Sequence, residues 1–273
     1  MKEEVIAGFG HLEIQPNLAV QVNSWNQYVF TYHAEELLKA GGAIRIVVPH
    51  FFTSPQTENP NAVGYVCLRS NNSTKAFLEI DPRLGCQIFE TGHTGKFGKS
   101  IFVRLQEDLH AGETLEVIYG DKTGGAAGSQ APSFSCNAYF LAAVTLAGRR
   151  TAADSGFSLL EEQSGVQITG RTACRAEVHV PAILNKGHNK ATVQLLDVQD
   201  NLDPNFQGTL EVHSTAAELE FPKKLHLSSE DRGVKKFPFK GIDCESLRIE
   251  VVSDKIYGRS NTAVRSNLDY QVY

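Results

Sequence analysis

The stretch VIYGDKTGGAAGSQAPSF, residues 117–134, decides how the chain reads. An alternating apolar run enters Gly120-Asp121-Lys122-Thr123-Gly124-Gly125, small residues carry the chain to Pro132, and apolar sequence then resumes. That is strand, loop, strand, with no helix signal on either side. The same rhythm extends N-terminally. Short alternating runs occupy residues 11–14, 18–22, 25–33, 43–52, 63–69, 76–80, 100–105 and 114–119, with turn residues between them. Pro49 argues for a bend or an edge position within the fourth of these runs. The segment 70–74 (SNNST) reads as a hairpin-like turn. AEELLK, residues 34–39, is the one segment of helical character, and Gly41-Gly42 stops it.

C-terminal to the loop, the apolar run 139–147 reads as a buried strand, followed by the polar break GRRTAADS at 148–155. From Gly165 the strand pattern restarts and delivers about seven short strands in about 100 residues, the size and rhythm of an immunoglobulin-like domain. The Cys-Trp-Cys core of an antibody domain is missing, because the single tryptophan is Trp25. Short strands with frequent turns bury one face of each sheet against another sheet. The expected fold is therefore all-β, two consecutive antiparallel β-sandwiches, the second immunoglobulin-like. The boundaries fall at 1–160 and 161–262, with the switch between Gly148 and Val166 and a tail at 263–273.

Composition narrows the function classes. A net charge of −5 over 273 residues lacks the basic footprint of a nucleic-acid binder. No apolar run approaches the ~20 residues that a membrane helix needs. Five cysteines without a C-x-x-C pair, behind an N-terminus with no sustained apolar core, point to free thiols in a reducing compartment, the cytoplasm.

The glycine loop is the first candidate site. Asp121, Lys122, Thr123, Gly124 and Gly125 could aim backbone N–H groups at an anion, or act as a rigid interface element with opposite charges at its tip. The order of a P-loop is absent, and no helix follows to lend its dipole. None of the nine histidines lies in H-x-H, H-E-x-x-H or H-x-x-x-H spacing, so no metal ligands are expected. His50 and His93 are the pair expected to be exposed. Asp197, Asp200 and Asp203 lack the spacing of a calcium loop and suit a strand-to-strand turn. No nucleophile motif is present. The basic cluster Lys223, Lys224, Arg232, Lys235, Lys236 and Lys240 is interleaved with Glu218, Glu220, Glu230 and Asp231, as on a solvated face.

Several stretches together resemble a large, poorly characterised bacterial family. They are GHLEIQP, WNQYVFTY, GGAIRIVVPHFF, the glycine loop itself, LLDVQDNLDPNFQGTLEV and IYGRSNTAVRSNLDYQVY. The family places β-sandwich regions ahead of a catalytic domain similar to the polymerase-and-histidinol-phosphatase (PHP) metal-dependent hydrolases. Its glycine run is Gly-Asp-Thr-x-Gly-Gly-x-x-Gly, and its second sandwich carries an Asp-x-x-Gly-Asn turn in which Asp200 here replaces the glycine. Ser260-Asn261 stand in the family's Ser-Asn place. After the position of Tyr273 the family continues with Trp-Gly-Asp-Leu-His, which opens the metal-binding domain. The resemblance thus implies a non-catalytic region without cofactor, whose partner is a downstream catalytic domain of the same polypeptide.

A different class is a free-standing carbohydrate- or surface-binding module. It would need Trp25, Tyr28, Phe51, Phe52 and Phe97 in an exposed row. A self-contained enzyme would need a convergent cluster of acid, base and histidine groups.

Overall fold

A computed structural model describes residues 5–72, 75–80, 99–146, 157–184, 188–216, 219–240, 246–260 and 263–265. The described chain is all-β, with two short 3-10 turns at Ser70–Asn72 and Ser229–Asp231. Contacts divide it between Ile168 and Thr169. That is later than the expected 160/161, because residues 164–168 pair along Cys136–Phe140 and so belong to the first unit.

The first unit is a sandwich of two sheets. One runs in the order Val5–Ile6, Ser158–Leu160, Cys136–Thr145, Ala43–Val48, Lys99–Leu105, Ala76–Ile80. The other runs Gly10–Gln15, Tyr28–Ala34, Thr114–Tyr119, Val66–Leu68. Among these ten strands pairing is antiparallel except between Val5–Ile6 and Leu159–Leu160. Alternation places Leu12, Ile14, Phe30, Tyr32, Leu115 and Val117 of one sheet in a single cluster with Ile44, Ile46, Ile101, Val103, Phe140 and Val144 of the other. Phe140 joins the two faces, its ring 5.1 Å from Phe30, 5.1 Å from Phe52 and 5.8 Å from Tyr28.

The second unit sets Arg175–His179, His188–Leu196 and Val234–Lys240 in one sheet. Lys224–Leu227, Gly208–Ser214, Ile249–Val252 and Tyr257–Arg259 form another. Val178, Val193, Leu195, Phe237 and Phe239 from the first share one core with Leu210, Val212, Leu225, Ile249 and Val251 from the second. Residues 263–265, expected in a tail, pair in parallel with Ile183–Leu184 and antiparallel with Ser246–Leu247.

Three local expectations are corrected. AEELLK is not helical: Ala34 ends a strand, and Leu38 exchanges backbone hydrogen bonds with Leu109 (2.9 and 2.8 Å) while both side chains are buried. A six-residue helix has too few hydrogen bonds to offset its nucleation cost, so this long-range bridge wins. The alternating run 25–33 breaks at Gln27, with Trp25–Asn26 pairing to Ser129–Gln130 and Tyr28–Ala34 to different strands. The segment after Val66–Leu68 is not a hairpin turn. Buried Asn72 donates to Thr114 O (3.2 Å) and accepts from Glu116 N (3.0 Å), while Ala76–Ile80 crosses to the other sheet.

Candidate functional site

The glycine loop leaves Thr114–Tyr119 through Gly120, whose φ of 72° and whose position, with an added Cβ 2.5 Å from Ser129 N, demand glycine. The N–H groups of Gly120 and Asp121 both donate to Tyr65 O (2.8 and 3.1 Å). The Asp121 carboxylate is buried and accepts from Thr123 N (3.2 Å) and Thr123 Oγ1 (2.5 Å). Lys122 donates from its backbone to Gln27 Oε1 (3.2 Å) and from its ammonium to Trp25 O (2.9 Å). Gly125 N donates to Lys122 O (2.9 Å).

These bonds change the reading of the loop. The N–H groups of Lys122, Thr123 and Gly125 already have acceptors inside the protein, so they do not form an anion cradle. Asp121 lies beneath the tip rather than on it, so the expected display of opposite charges is absent. What remains is a braced loop whose residues 122–125 are exposed. Asp121 also faces a cysteine: burial, and then the negative charge of this carboxylate, push the Cys67 thiol up to about 11.

The structure gathers a second group that residue spacing did not reveal. Gly10–Gln15 and Tyr28–Ala34 pair antiparallel with His11 opposite His33 and Glu13 opposite Thr31. Alternation puts His11, Glu13 and His33 on the outward face, while Leu12, Ile14, Phe30 and Tyr32 build the core. The imidazoles stack with centroids 4.7 Å apart and planes inclined by 10°. Glu13 Oε2 lies 3.4 Å from His33 Nε2, and Glu13 Oε1 lies 3.9 Å from His11 Nε2. Glu35 Oε1 sits 3.2 Å from His11 Nδ1. One ligating atom each from His11, Glu13 and His33 fall within 4.8 Å of one another.

The other candidates resolve into structure. Asp197 accepts from the N–H groups of Arg171 (3.0 Å), Gln199 (2.8 Å) and Asn201 (3.0 Å), and Asp203 from those of Ala173 (2.9 Å) and Asn205 (3.0 Å). Asp200 pairs with Arg175 at 2.5 Å. These carboxylates tie a turn together. In the basic cluster, Lys235 pairs with Asp231 (2.8 Å) and Lys240 with Glu220 (3.2 Å). His50 is exposed and edge-on to Phe51, with centroids 5.1 Å apart; His93 lies outside the described residues. Of the aromatic residues named for a binding row, Tyr28 and Phe52 are buried in the core, Phe51 is half-buried and Phe97 lies outside the described residues. Trp25 is exposed.

No protein-family model matches the chain. No curated protein matches it either. Solved structures with a similar course include a β-glycosidase from Bacteroides vulgatus (7% identity, TM-score 0.34, 94% of this chain and 25% of that one). A glycosyl hydrolase family 2 member from Bacteroides cellulosilyticus gives 6% identity and a TM-score of 0.33 over 93% of this chain and 28% of that one. The human F-spondin reeler domain gives 7% identity and a TM-score of 0.29 over 60% of this chain and 92% of that one. The chain spans about a quarter of the length of the two glycosidases.

Proposed function

We propose that this chain is an accessory, non-catalytic β-sandwich region of a PHP-like metallohydrolase, working in the cytoplasm. Its role is to pack on a downstream catalytic domain of the same polypeptide and shape that domain's cleft. The observation that supports this reading is the construction of the glycine loop. Its base is fixed by hydrogen bonds to Trp25, Gln27 and Tyr65, while residues 122–125 stand exposed and take no part in the core. A loop held this rigidly on a sandwich presents a defined surface at small entropic cost, which is what an intramolecular interface needs.

The test compares the 273-residue chain with a chain extended along the reading frame past Tyr273. Lysine acetylation read by mass spectrometry should modify Lys122 in the shorter protein and leave it shielded in the longer one. Equal labelling in both, or a reading frame that ends at Tyr273, removes the proposal.

A further inference from the structure

The outward face of Gly10–Gln15 and Tyr28–Ala34 carries a second, independent role. We propose that His11, Glu13 and His33 form a site for a divalent transition metal, zinc first, with one coordination position left for water or a ligand.

Two imidazoles and one carboxylate are the protein ligands of the open type of zinc site, and nitrogen donors favour zinc, nickel or copper over calcium and magnesium. Spacing agrees. Metal–ligand distances of about 2.0–2.1 Å in a tetrahedron place neighbouring ligand atoms roughly 3.3 Å apart. Glu13 Oε2 and His33 Nε2 already stand 3.4 Å apart, and Glu13 Oε1 and His11 Nε2 are at 3.9 Å. The rings turn out of their stack to bring both Nε2 lone pairs and the carboxylate onto one ion.

Two further observations point the same way. His33 Nε2 is buried and receives no hydrogen bond, although a carboxylate oxygen is next to it. A buried ring nitrogen without a hydrogen bond is uncommon, and a bound cation would occupy its lone pair. On the far side of the other ring, Glu35 Oε1 faces His11 Nδ1 at 3.2 Å. A proton on Nδ1 then donates to Glu35 and leaves the Nε2 lone pair aimed at the cluster, the arrangement by which carboxylates orient metal-binding histidines. Glu35 is therefore a positioning residue and does not touch the ion.

The site is built on paired strands, so its geometry is held by the sheet beneath it rather than by loops. The competing reading is a set of solvated ion pairs that binds no metal. In that case removing any one residue changes little, since exposed pairs contribute little.

The experiment uses the 273-residue chain, purified without a histidine tag and dialysed against zinc, with bound metal measured by elemental analysis and affinity by competition with a chromophoric chelator. We expect one zinc per chain, lost in His11→Ala and in His33→Ala. Glu35→Gln should still bind one zinc, roughly 10- to 100-fold more weakly. His50→Ala and Cys174→Ser should bind as the parent does. With cobalt in place of zinc, the parent should show visible ligand-field bands that His33→Ala lacks. The histidines point away from the core, and circular dichroism checks that each variant folds. Should an alanine variant fail to fold, His11→Gln and His33→Gln give the same comparison. A parent without stoichiometric zinc, or a double variant lacking both histidines that keeps its zinc, overturns the proposal.

Discussion

Gly124 lies against Pro60 so closely that an added Cβ would sit 2.4 Å from the proline's carbonyl oxygen. Its neighbour Gly125 has nothing within 4 Å but holds a φ of 91°. The two glycines are thus required for different reasons, packing in one case and backbone angle in the other. Gly124→Ala must displace the 60–61 segment, and overpacking of this kind costs about 1–3 kcal/mol. Gly125→Ala meets only the left-handed strain, about 1 kcal/mol. In thermal unfolding Gly124→Ala should therefore lower the midpoint more than Gly125→Ala; the reverse order would show that the loop does not sit on Pro60.

Among the described cysteines, Cys174 is exposed, while Cys67 and Cys136 are half-buried free thiols. Burial raises both of the latter, and Asp121 raises Cys67 further, to about 11. Since the thiolate is the reactive form, Cys174 should be alkylated first in the native protein, and Cys67 should respond only as pH climbs towards that value. Asp121→Asn should speed Cys67 at mildly alkaline pH. Equal rates for Cys67 and Cys174 at neutral pH would contradict the arrangement.

Asp197 contributes acid sensitivity to the second unit. Burial opposes its charge, but the N–H donors of Arg171, Asn201 and Gln199 outweigh that and hold its carboxyl below the usual range. A depressed folded value means stability that is full above the unfolded value and is lost as pH falls through the folded one. Asp197→Ala should cost about 2 kcal/mol at neutral pH, because the N–H groups of Arg171, Gln199 and Asn201, the last of them buried, lose a charged acceptor. The variant's stability should also fall less steeply on acidification than the parent's, which denaturant titrations at several pH values would measure.

Phe140 sits where the two sheets of the first unit meet. Phe140→Ala should cost about 3–5 kcal/mol, the scale for emptying a buried aromatic site. A hydrogen-exchange map should show the loss in Tyr28–Ala34 as well as in Cys136–Thr145, because the ring contacts Tyr28 and Phe30 across the core.

Much of the strand content was legible because period-two alternation is a local signal: Gly10–Gln15, Thr114–Tyr119 and Tyr28–Ala34 all follow it. Pairing is not local. The segment 34–39 has helix-forming residues, yet its Leu38 is held by Leu109, which no window of neighbours contains. The turn after Val66–Leu68 resembled a hairpin because neighbouring strands so often pair, whereas Asn72 anchors that turn to Thr114–Tyr119. The histidine cluster escaped for the same reason. Motif spacings describe helices and single strands, while His11 and His33 meet only through sheet register. A trace was present: His11-Leu12-Glu13 and His33-Ala34-Glu35 repeat one H-x-E pattern on two alternating strands.

The first unit is closed by its own ends. Val5–Ile6 pairs with Leu159–Leu160, and the Ser164 hydroxyl donates to Leu12 O across 152 positions of chain. During synthesis, then, strands made early must wait for residues translated near the end of the unit. Until those residues leave the ribosome, backbone groups on the waiting strands lack their final partners, and loop-closure entropy opposes early completion. The nascent chain should depend on chaperones up to about residue 168 and become protease-resistant only after that point.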